Sequence, residues 1–264
     1  MSFLRKIRHQ ASKKQLRIPL IWLRHRGLDA NDVFLASYPR SGNTWVRFIL
    51  SEILTHRVTH FDNVNQVIPE MGIHGQARPL LRGGGRLIKT HEPYRKEYKR
   101  AIYLLRDMRD CLLSQYAREK ELGTVDAPDL DGYLLHFLAG TTTGFGSWQN
   151  HVHGWLESPL ARRGDLLVVK FEDMRCSTQE VVAQMLEFLA VPTDFQVLQE
   201  AIANNTVERM REKENTALKL RKSVREEGRF VRKGAVRGWR EKLTDAQLRL
   251  IDEYAGSTLA RTGY

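Results

Sequence analysis

The chain is poor in cysteine and has no long hydrophobic run. Cys111 and Cys176 are the only cysteines among 264 residues, which argues against a disulfide framework and indicates a reducing compartment. The longest early apolar run, residues 18–23, is too short to cross a bilayer and carries no cleavage site. The chain also lacks internal repeats and low-complexity linkers. These absences predict a cytoplasmic protein.

Acidic residues are outnumbered by basic ones, and the formal net charge is +11. Such an excess attracts anionic ligands. Part of it lies in residues 5–26, where basic side chains surround apolar ones. This arm is either a peripheral contact with the inner surface of an anionic membrane or a helix packed on the domain. Nucleic acid is not expected as a partner, because no recognised nucleic-acid motif accompanies the charge.

Metal-ligand patterns are also missing. There is no cysteine pair at ligand spacing, and His151 and His153 diverge because they are two residues apart on a predicted helix. The sequence therefore predicts no metal site.

The periodicity predicts one α/β domain with a central parallel sheet flanked by helices. With 42% hydrophobic residues, the chain can bury a large core. Capping-box pairs predict helices of roughly 178–190, 194–204 and 245–260, beginning at Ser177 with Glu180, Thr193 with Gln196, and Thr244 with Gln247. Predicted strands alternate with the helices near 33–37, 86–90, 101–105 and 165–169. We assign residues 1–30 to a basic N-terminal arm and 31–264 to the domain.

The segment from Tyr38 to Trp45 follows the first predicted strand and leads into a helix. A strand, a tight polar loop and a helix N-terminus together form an anion-binding device. The additional donors and the glycine of this loop are Arg40, Ser41, Gly42, Asn43 and Thr44. It is not a Walker A loop, which needs a second glycine followed by lysine. The alternative is a strand-to-helix turn rich in capping residues.

Two further segments suit phosphate binding. Arg106 follows a predicted strand, where open α/β sheets bind ligands, and Ser114 lies about two helical turns further on. Residues 229–239 form a basic, glycine-containing loop, which by itself is more typical of a solvated surface.

Together these segments resemble the cytosolic-type sulfotransferases that use 3′-phosphoadenosine 5′-phosphosulfate (PAPS). Residues 38–45 match the family's Tyr-Pro-Lys-Ser-Gly-x-Thr-Trp loop for the 5′ end of the donor, with Arg40 in place of Lys. Arg106 and Ser114, eight residues apart, match its 3′-phosphate site. The resemblance extends from about Asn31 to about Thr244.

The family's C-terminal Arg-Lys-Gly loop resembles Arg232, Lys233 and Gly234. The family then usually reads Gly-Asp-Trp, whereas residues 237–239 read Arg-Gly-Trp. This departure predicts a loop that closes with altered geometry.

Residues 89–93 resemble the family's Lys-Thr-His-x-Pro segment, whose histidine is the general base. A lone histidine is more often structural, but His91 follows a strand beside the phosphate signals and is the predicted base. Lys89 lies two residues before it, on the same strand face. Lys89 and Arg40 are predicted to neutralise charge on the leaving phosphate, with Thr44 donating from the helix start.

The resemblance assigns adenine recognition to four side chains. Trp45 contacts the ring face, Phe171 lies near the base, and Phe230 with Val207 closes the pocket. For Phe171 and Phe230 an ordinary core position is about as well supported.

The implied function is sulfuryl transfer from PAPS to a hydroxyl or amine, leaving 3′-phosphoadenosine 5′-phosphate (PAP). The acceptor is a small molecule, a glycan or a lipid, and nothing in the sequence indicates an oligomeric state. Specificity is expected in residues 56–81, 119–145 and 215–229, of which the last resembles a lid in composition. The alternative is a nucleotide-dependent kinase with a modified phosphate loop, although a kinase would not use a 3′-phosphate site.

Overall fold

The computed structural model describes residues 17–125, 127, 129–218, 229, 231 and 234–264. The strands are β1 (Val33–Ser37), β2 (Leu87–Thr90), β3 (Arg100–Leu105) and β4 (Leu166–Lys170). The helices are α1 (Arg17–Arg24), α2 (Asn43–Thr55), α3 (Val64–Val67), α4 (Met108–Glu121), α5 (Leu130–Leu138), α6 (Trp148–Leu156), α7 (Pro159–Arg163), α8 (Phe171–Cys176), α9 (Thr178–Leu189), α10 (Phe195–Ala203), α11 (Val207–Thr216) and α12 (Asp245–Arg261). Short 3₁₀ turns occupy His74–Gln76, Arg82–Gly84 and Gly238–Glu241.

The four strands form one parallel sheet in the order β2-β1-β3-β4. Leu35 lies opposite Lys89 of β2 on one side and Ile102 of β3 on the other. The predicted fold class is therefore confirmed. Because β1 lies at the centre, the loops after β2, β1 and β3 emerge side by side, which is where open α/β sheets hold ligands.

Alternation along β1 divides the core between the two faces of the sheet. Phe34 and Ala36 belong to a cluster that includes side chains of α4, α5, α6 and α12. Val33 and Leu35 belong to the cluster on the opposite face, which includes side chains of α2, α9 and α10. Both faces of the parallel sheet are thus covered, as its continuous hydrophobic strands require.

The three predicted capping boxes had different outcomes. Thr244 and Gln247 form the expected reciprocal pair at α12. The pair at Thr193 was wrong, because Asp194 caps α10 by accepting from the N–H of Gln196. Ser177 makes no side-chain cap, since it also ends α8 and its N–H donates to Asp173 O at 2.8 Å. Ser177 ends one helix and begins the next, whereas the capping-box motif describes the start of one helix only.

Candidate active site

The carboxyl ends of β2, β1 and β3 open into a cavity of about 500 Å³. Twelve of the residues singled out in the sequence line it, namely Arg40, Gly42, Asn43, Thr44, Trp45, Lys89, His91, Arg106, Ser114, Phe171, Val207 and Gly234. Phe230, Arg232 and Lys233 lie outside the described residues. Segments that are distant in sequence therefore share one cavity, because adjacent parallel strands end at the same edge.

The loop before α2 has an unusual backbone. Arg40 has φ 71° and Gly42 has φ 85°, both in the left-handed region. Gly42 is the N-cap of α2 and provides no side-chain cap, so the first helical N–H groups are left for a ligand. A Cβ atom on Gly42 would lie 2.5 Å from Cδ2 of Phe171. Glycine is required here both by backbone conformation and by close packing.

Two polar side chains of this loop point into the protein. Ser41 is 1% exposed, and its Oγ lies 3.6 Å from Cys111 Sγ. The side-chain amide of Asn43 donates to Leu35 O at 3.0 Å and to Ser37 Oγ at 3.1 Å. These side chains brace the loop against β1 and α4, so the predicted role of Ser41 and Asn43 as side-chain donors falls to their backbone N–H groups, the only donors of these residues not used in these contacts.

Arg106 sits at the end of β3 and reaches two loops. Its Nη1 donates to Arg40 O at 2.7 Å, and its Nη2 donates to Ala235 O at 3.0 Å. The guanidinium carbon lies 4.2 Å from the centre of the Phe171 ring. Arg106 is 8% exposed, and within the described part of the chain its Nε donor has no hydrogen-bond partner. A buried donor left in this state is costly unless a ligand satisfies it.

Ser114 joins the two predicted phosphate regions. Its Oγ accepts a hydrogen bond from Arg40 Nε at 3.0 Å, which joins α4 to the loop after β1. The wider guanidinium that replaces the family's lysine thus has a neutral hydroxyl partner.

A network of carboxylates behind Arg106 was missed by the sequence analysis. Asp107 caps α4 and accepts from Arg109 and from the indole Nε1 of Trp239, the latter at 2.9 Å. Asp110 accepts from the backbone N–H groups of Arg237 and Trp239. The two residues fasten the loop at 237–239 to the start of α4. Asp107 is a residue type that favours helix N-caps, but its partner Trp239 comes from the far end of the chain.

Trp45 is fixed at the other end of the cavity. Its indole Nε1 donates to Asn205 O at 2.7 Å, and its ring meets Phe171 edge-on with centroids 6.2 Å apart. Val207, at the start of α11, lines the same region. Phe171 is 6% exposed and belongs to the cavity wall rather than to either sheet-face cluster. The arrangement forms an aromatic slot beside the loop at residues 38–45.

His91 lies directly after β2, with its ring held by β1. Its Nδ1 is 2.8 Å from Ser37 O. A carbonyl oxygen only accepts hydrogen bonds, so Nδ1 carries the hydrogen in the neutral ring and Nε2 keeps its lone pair. Burial, followed by the charge of Lys89, lowers the pKa of His91 to about 3. The ring is therefore neutral at ordinary pH.

A second histidine supports the backbone of His91. His151 Nε2 lies 3.1 Å from His91 O, and its Nδ1 lies 2.9 Å from Tyr103 Oη. By the same reasoning, Nε2 donates to the carbonyl and Nδ1 accepts from the tyrosine. Burial lowers the pKa of His151 to about 4. The predicted divergence of His151 and His153 is observed, since His153 instead contacts Glu157 and Thr258.

Lys89 reaches the cavity from β2, and its Nζ lies 2.7 Å from Glu70 Oε1. Glu70 was not anticipated, because the two residues meet through a bridge between strand-like segments rather than through a local motif. In the described part of the chain, no group of three or more His, Cys, Asp or Glu side chains is arranged to hold a metal ion.

The family model of the sulfotransferase domain matches residues 30–263. Sulfotransferase 2A1 of Macaca fascicularis is 27% identical over 239 residues, which cover 84% of this chain and 82% of that relative. Sulfotransferase 1B1 of Canis lupus familiaris is 27% identical over 255 residues, which cover 87% of this chain and 85% of that relative.

Two solved structures share the fold. Mouse sulfotransferase SULT7A1 complexed with PAP has a TM-score of 0.68 at 21% identity, covering 90% of this chain and 86% of that one. Retinol dehydratase in a complex with retinol and PAP has a TM-score of 0.64 at 16% identity, covering 93% of this chain and 86% of that one.

Because the family model matches most of its length, this chain belongs to the sulfotransferase domain family. The family inferred from the motifs is confirmed, and the protein is a sulfotransferase.

Proposed function

We propose that this sulfotransferase transfers the sulfuryl group of PAPS to a hydroxyl or amine of a small acceptor, with His91 as general base. The observation that carries the proposal is the convergence of the 40–45 loop, Arg106 with Ser114, and Lys89 with His91 on one cavity. The kinase alternative is disfavoured by membership of the sulfotransferase family.

The donor fits the polar groups of the cavity. The uncapped start of α2 and Arg40 suit the 5′ end, and the buried, unpartnered Nε of Arg106 suits a 3′-phosphate. The slot of Trp45, Phe171 and Val207 suits a purine ring. Three structural neighbours were solved with PAP, which carries the same 3′-phosphate.

The reaction is a displacement at sulfur. The acceptor oxygen or nitrogen forms a bond to sulfur as the bond from sulfur to the bridging phosphate oxygen breaks, and PAP leaves. The acceptor proton goes to Nε2 of His91, whose lone pair is available because Nδ1 faces Ser37 O. Lys89 and Arg40 line the same cavity and offset the charge that develops on the leaving phosphate.

The donor assignment has a direct test. PAP at about 100 times its Kd is expected to stabilise the protein by about 2.7 kcal/mol, and adenosine monophosphate far less, because only PAP satisfies Arg106. Thermal shift measures the difference. Arg106→Met should remove the extra stabilisation that PAP gives over adenosine monophosphate. The control is Arg100→Met, at an exposed arginine six residues earlier on β3, which should keep that extra stabilisation. Equal stabilisation of the unaltered protein by both nucleotides would refute the assignment.

The acceptor is proposed to enter beside His91. Phe145 lies there, with its ring centre 5.8 Å from that of His91, and belongs to one of the segments expected to set specificity. Structural neighbours were solved with androsterone or retinol bound, so sterols and other small alcohols come first in a screen. Incubation with sulfur-labelled PAPS and a panel of phenols, sterols, glycans and lipids identifies the class.

The described part of the N-terminal arm has two different sides. Arg24 Nη1 lies 2.8 Å from Glu92 Oε1, and His25 Nε2 lies 2.7 Å from Tyr98 Oη, so the end of α1 packs on the domain. Trp22 and Leu23 are 67% and 59% exposed. Residues 5–16 lie outside the described residues. None of the described helices is both long enough and apolar enough to traverse a bilayer.

We propose that this exposed side of α1 contacts an anionic membrane. The intact protein should sediment with phosphatidylserine vesicles at low salt. Added salt should weaken binding, because surface attraction is screened over about 10 Å at 0.1 M. The double variant Trp22→Ser and Leu23→Ser should also weaken binding, because it removes the exposed apolar side chains. Phosphatidylcholine vesicles are the control. Failure of the intact protein to sediment at low salt would exclude the membrane contact. An insoluble deletion of residues 1–27 would favour a purely packed arm.

A further inference from the structure

Glu70 is anchored by its backbone along the outer edge of β2. The N–H of Lys89 donates to Pro69 O and the N–H of Met71 donates to Lys89 O, both at 2.8 Å. These bonds form a parallel bridge that places Glu70 next to Lys89. The backbone of Glu70 is therefore held independently of its carboxylate.

The side chain of Arg47 on α2 holds the segment that contains Glu70. It is 3% exposed, its Nε donates to Ile68 O, and its Nη2 donates to the side-chain oxygen of Asn65. Its Nη1 lies 3.8 Å from Glu70 Oε1. The carboxylate of Glu70 thus faces two cations, with Lys89 at 2.7 Å.

The exposure of the two paired groups is unequal. The side chain of Lys89 is 12% exposed and that of Glu70 is 52% exposed. The ammonium therefore bears most of the desolvation cost, while the carboxylate keeps part of its hydration. A buried ammonium without a counter-ion tends to lose its proton.

The charged groups around Lys89 shift its pKa in opposite directions. Burial lowers the pKa of Lys89, Glu70 raises it, and Arg47 and Arg40 lower it further. In return, Lys89 lowers the pKa of Glu70 to about 2. Glu70 remains ionised throughout the working pH range and is the group that sustains the charge of Lys89.

We propose that Glu70 is a positioning residue for sulfuryl transfer: its carboxylate holds Lys89 beside His91 and keeps it protonated until the anionic donor takes over as counter-ion. The inference rests on the proposed function, because Lys89 needs its charge to offset that of the leaving phosphate. Nothing in the linear sequence assigns Glu70 this role.

The test reads the protonation of Lys89 without relying on turnover. Trace acetic anhydride labels unprotonated amines, and mass spectrometry of the Lys89 peptide across pH 6–11 reports its apparent pKa. Glu70→Gln keeps the shape and removes the charge, so the pKa of Lys89 should fall by about one unit or more. At a pH well below both values, labelling should then rise about tenfold, since the unprotonated fraction there changes tenfold per pKa unit.

Two variants make the result specific. Glu70→Asp restores the charge and should return the labelling curve toward that of the unaltered protein. Glu187→Gln removes an exposed carboxylate on α9 and should leave the curve unchanged. If Glu70→Gln does not fold, Glu70→Ser at the same backbone-held position provides the neutral variant. An unchanged pKa of Lys89 in a folded, neutral variant would overturn the role of Glu70.

PAP separates this inference from the proposed function. PAP should protect Lys89 from labelling in the unaltered protein, since its 5′-phosphate occupies the same cavity. Absence of protection would overturn the donor site on which the inference rests. Protection together with an unchanged pKa in Glu70→Gln would leave the donor site intact and remove only the role of Glu70.

Discussion

Replacement of His91 by alanine or asparagine is expected to abolish sulfuryl transfer while leaving PAP binding nearly intact. A general base typically contributes ~10²–10⁴ in rate, and the role assigned to His91 involves the acceptor proton rather than the nucleotide. The asparagine variant is the sharper of the two. Its side-chain amide can still donate to Ser37 O in place of Nδ1, but it offers nothing where Nε2 stood.

Rates with labelled PAPS and calorimetric titration with PAP measure the two effects separately. His153→Ala is the matched control, because this histidine lies on α6 and bonds to Glu157 and Thr258 outside the cavity. Full activity of His91→Asn would exclude a base at Nε2. Loss of PAP binding along with activity would make His91 a structural residue.

Gly42→Ala is expected to remove most donor binding. The new Cβ would lie 2.5 Å and 2.8 Å from two ring carbons of Phe171, which must move or force the loop to open. Phe171 has little freedom, since Arg106 stacks on its ring at 4.2 Å. Overpacking of this kind costs ~1–3 kcal/mol, and a distorted loop should weaken PAP binding by about tenfold or more, which corresponds to ~1.4 kcal/mol.

Gly164→Ala separates the clash from backbone strain. Gly164 has φ 77°, close to the 85° of Gly42, but no atom lies within 4 Å of its virtual Cβ. Both variants therefore bear a left-handed alanine, and only Gly42→Ala meets the ring. Unfolding free energies and PAP affinities of the two proteins should diverge accordingly. Similar PAP affinities in both would show that the close approach of Phe171 is unimportant.

The bond from Arg40 to Ser114 connects the two ends of the proposed donor site. Arg40 belongs to the loop after β1 and Ser114 to α4, and Arg106 bonds to the carbonyl of Arg40 as well. The two halves of the proposed donor site are therefore joined by hydrogen bonds. A lysine ammonium lacks the planar fork that lets Arg40 make such a directed contact.

Residues 237–239, where the basic loop departs from the family's Gly-Asp-Trp pattern, are held by contacts to α4. Arg237 has φ 60°, and both its N–H and that of Trp239 donate to Asp110. Burial raises the pKa of Asp110, while the nearby Arg106 charge opposes that rise. The loop at residues 237–239 is thus held to α4 through Asp110, four residues after Arg106.

Local sequence was sufficient for the strands, for helices such as α2, α9 and α12, and for the family. Apolar runs of four to six residues predicted all four strands to within one or two residues at each end, because buried parallel strands are continuously hydrophobic. The loop at 38–45 could be predicted as a phosphate site, because its glycine, cation and following helix are contiguous. Helix starts were less certain where Asp194 competed with Thr193, since adjacent residues can both cap.

The linear chain supplies the chemical groups: a glycine-containing loop before a helix, a strand-end arginine, and a histidine two residues after a lysine. Tertiary structure decided how these groups are used. The tautomer of His91 depends on Ser37 O, the charge of Lys89 on Glu70, and the anchoring of the 237–239 loop on Asp110. Each of these contacts joins segments that are distant along the chain. Such pairings arise only when parallel strands bring their ends together, so no local pattern encodes them.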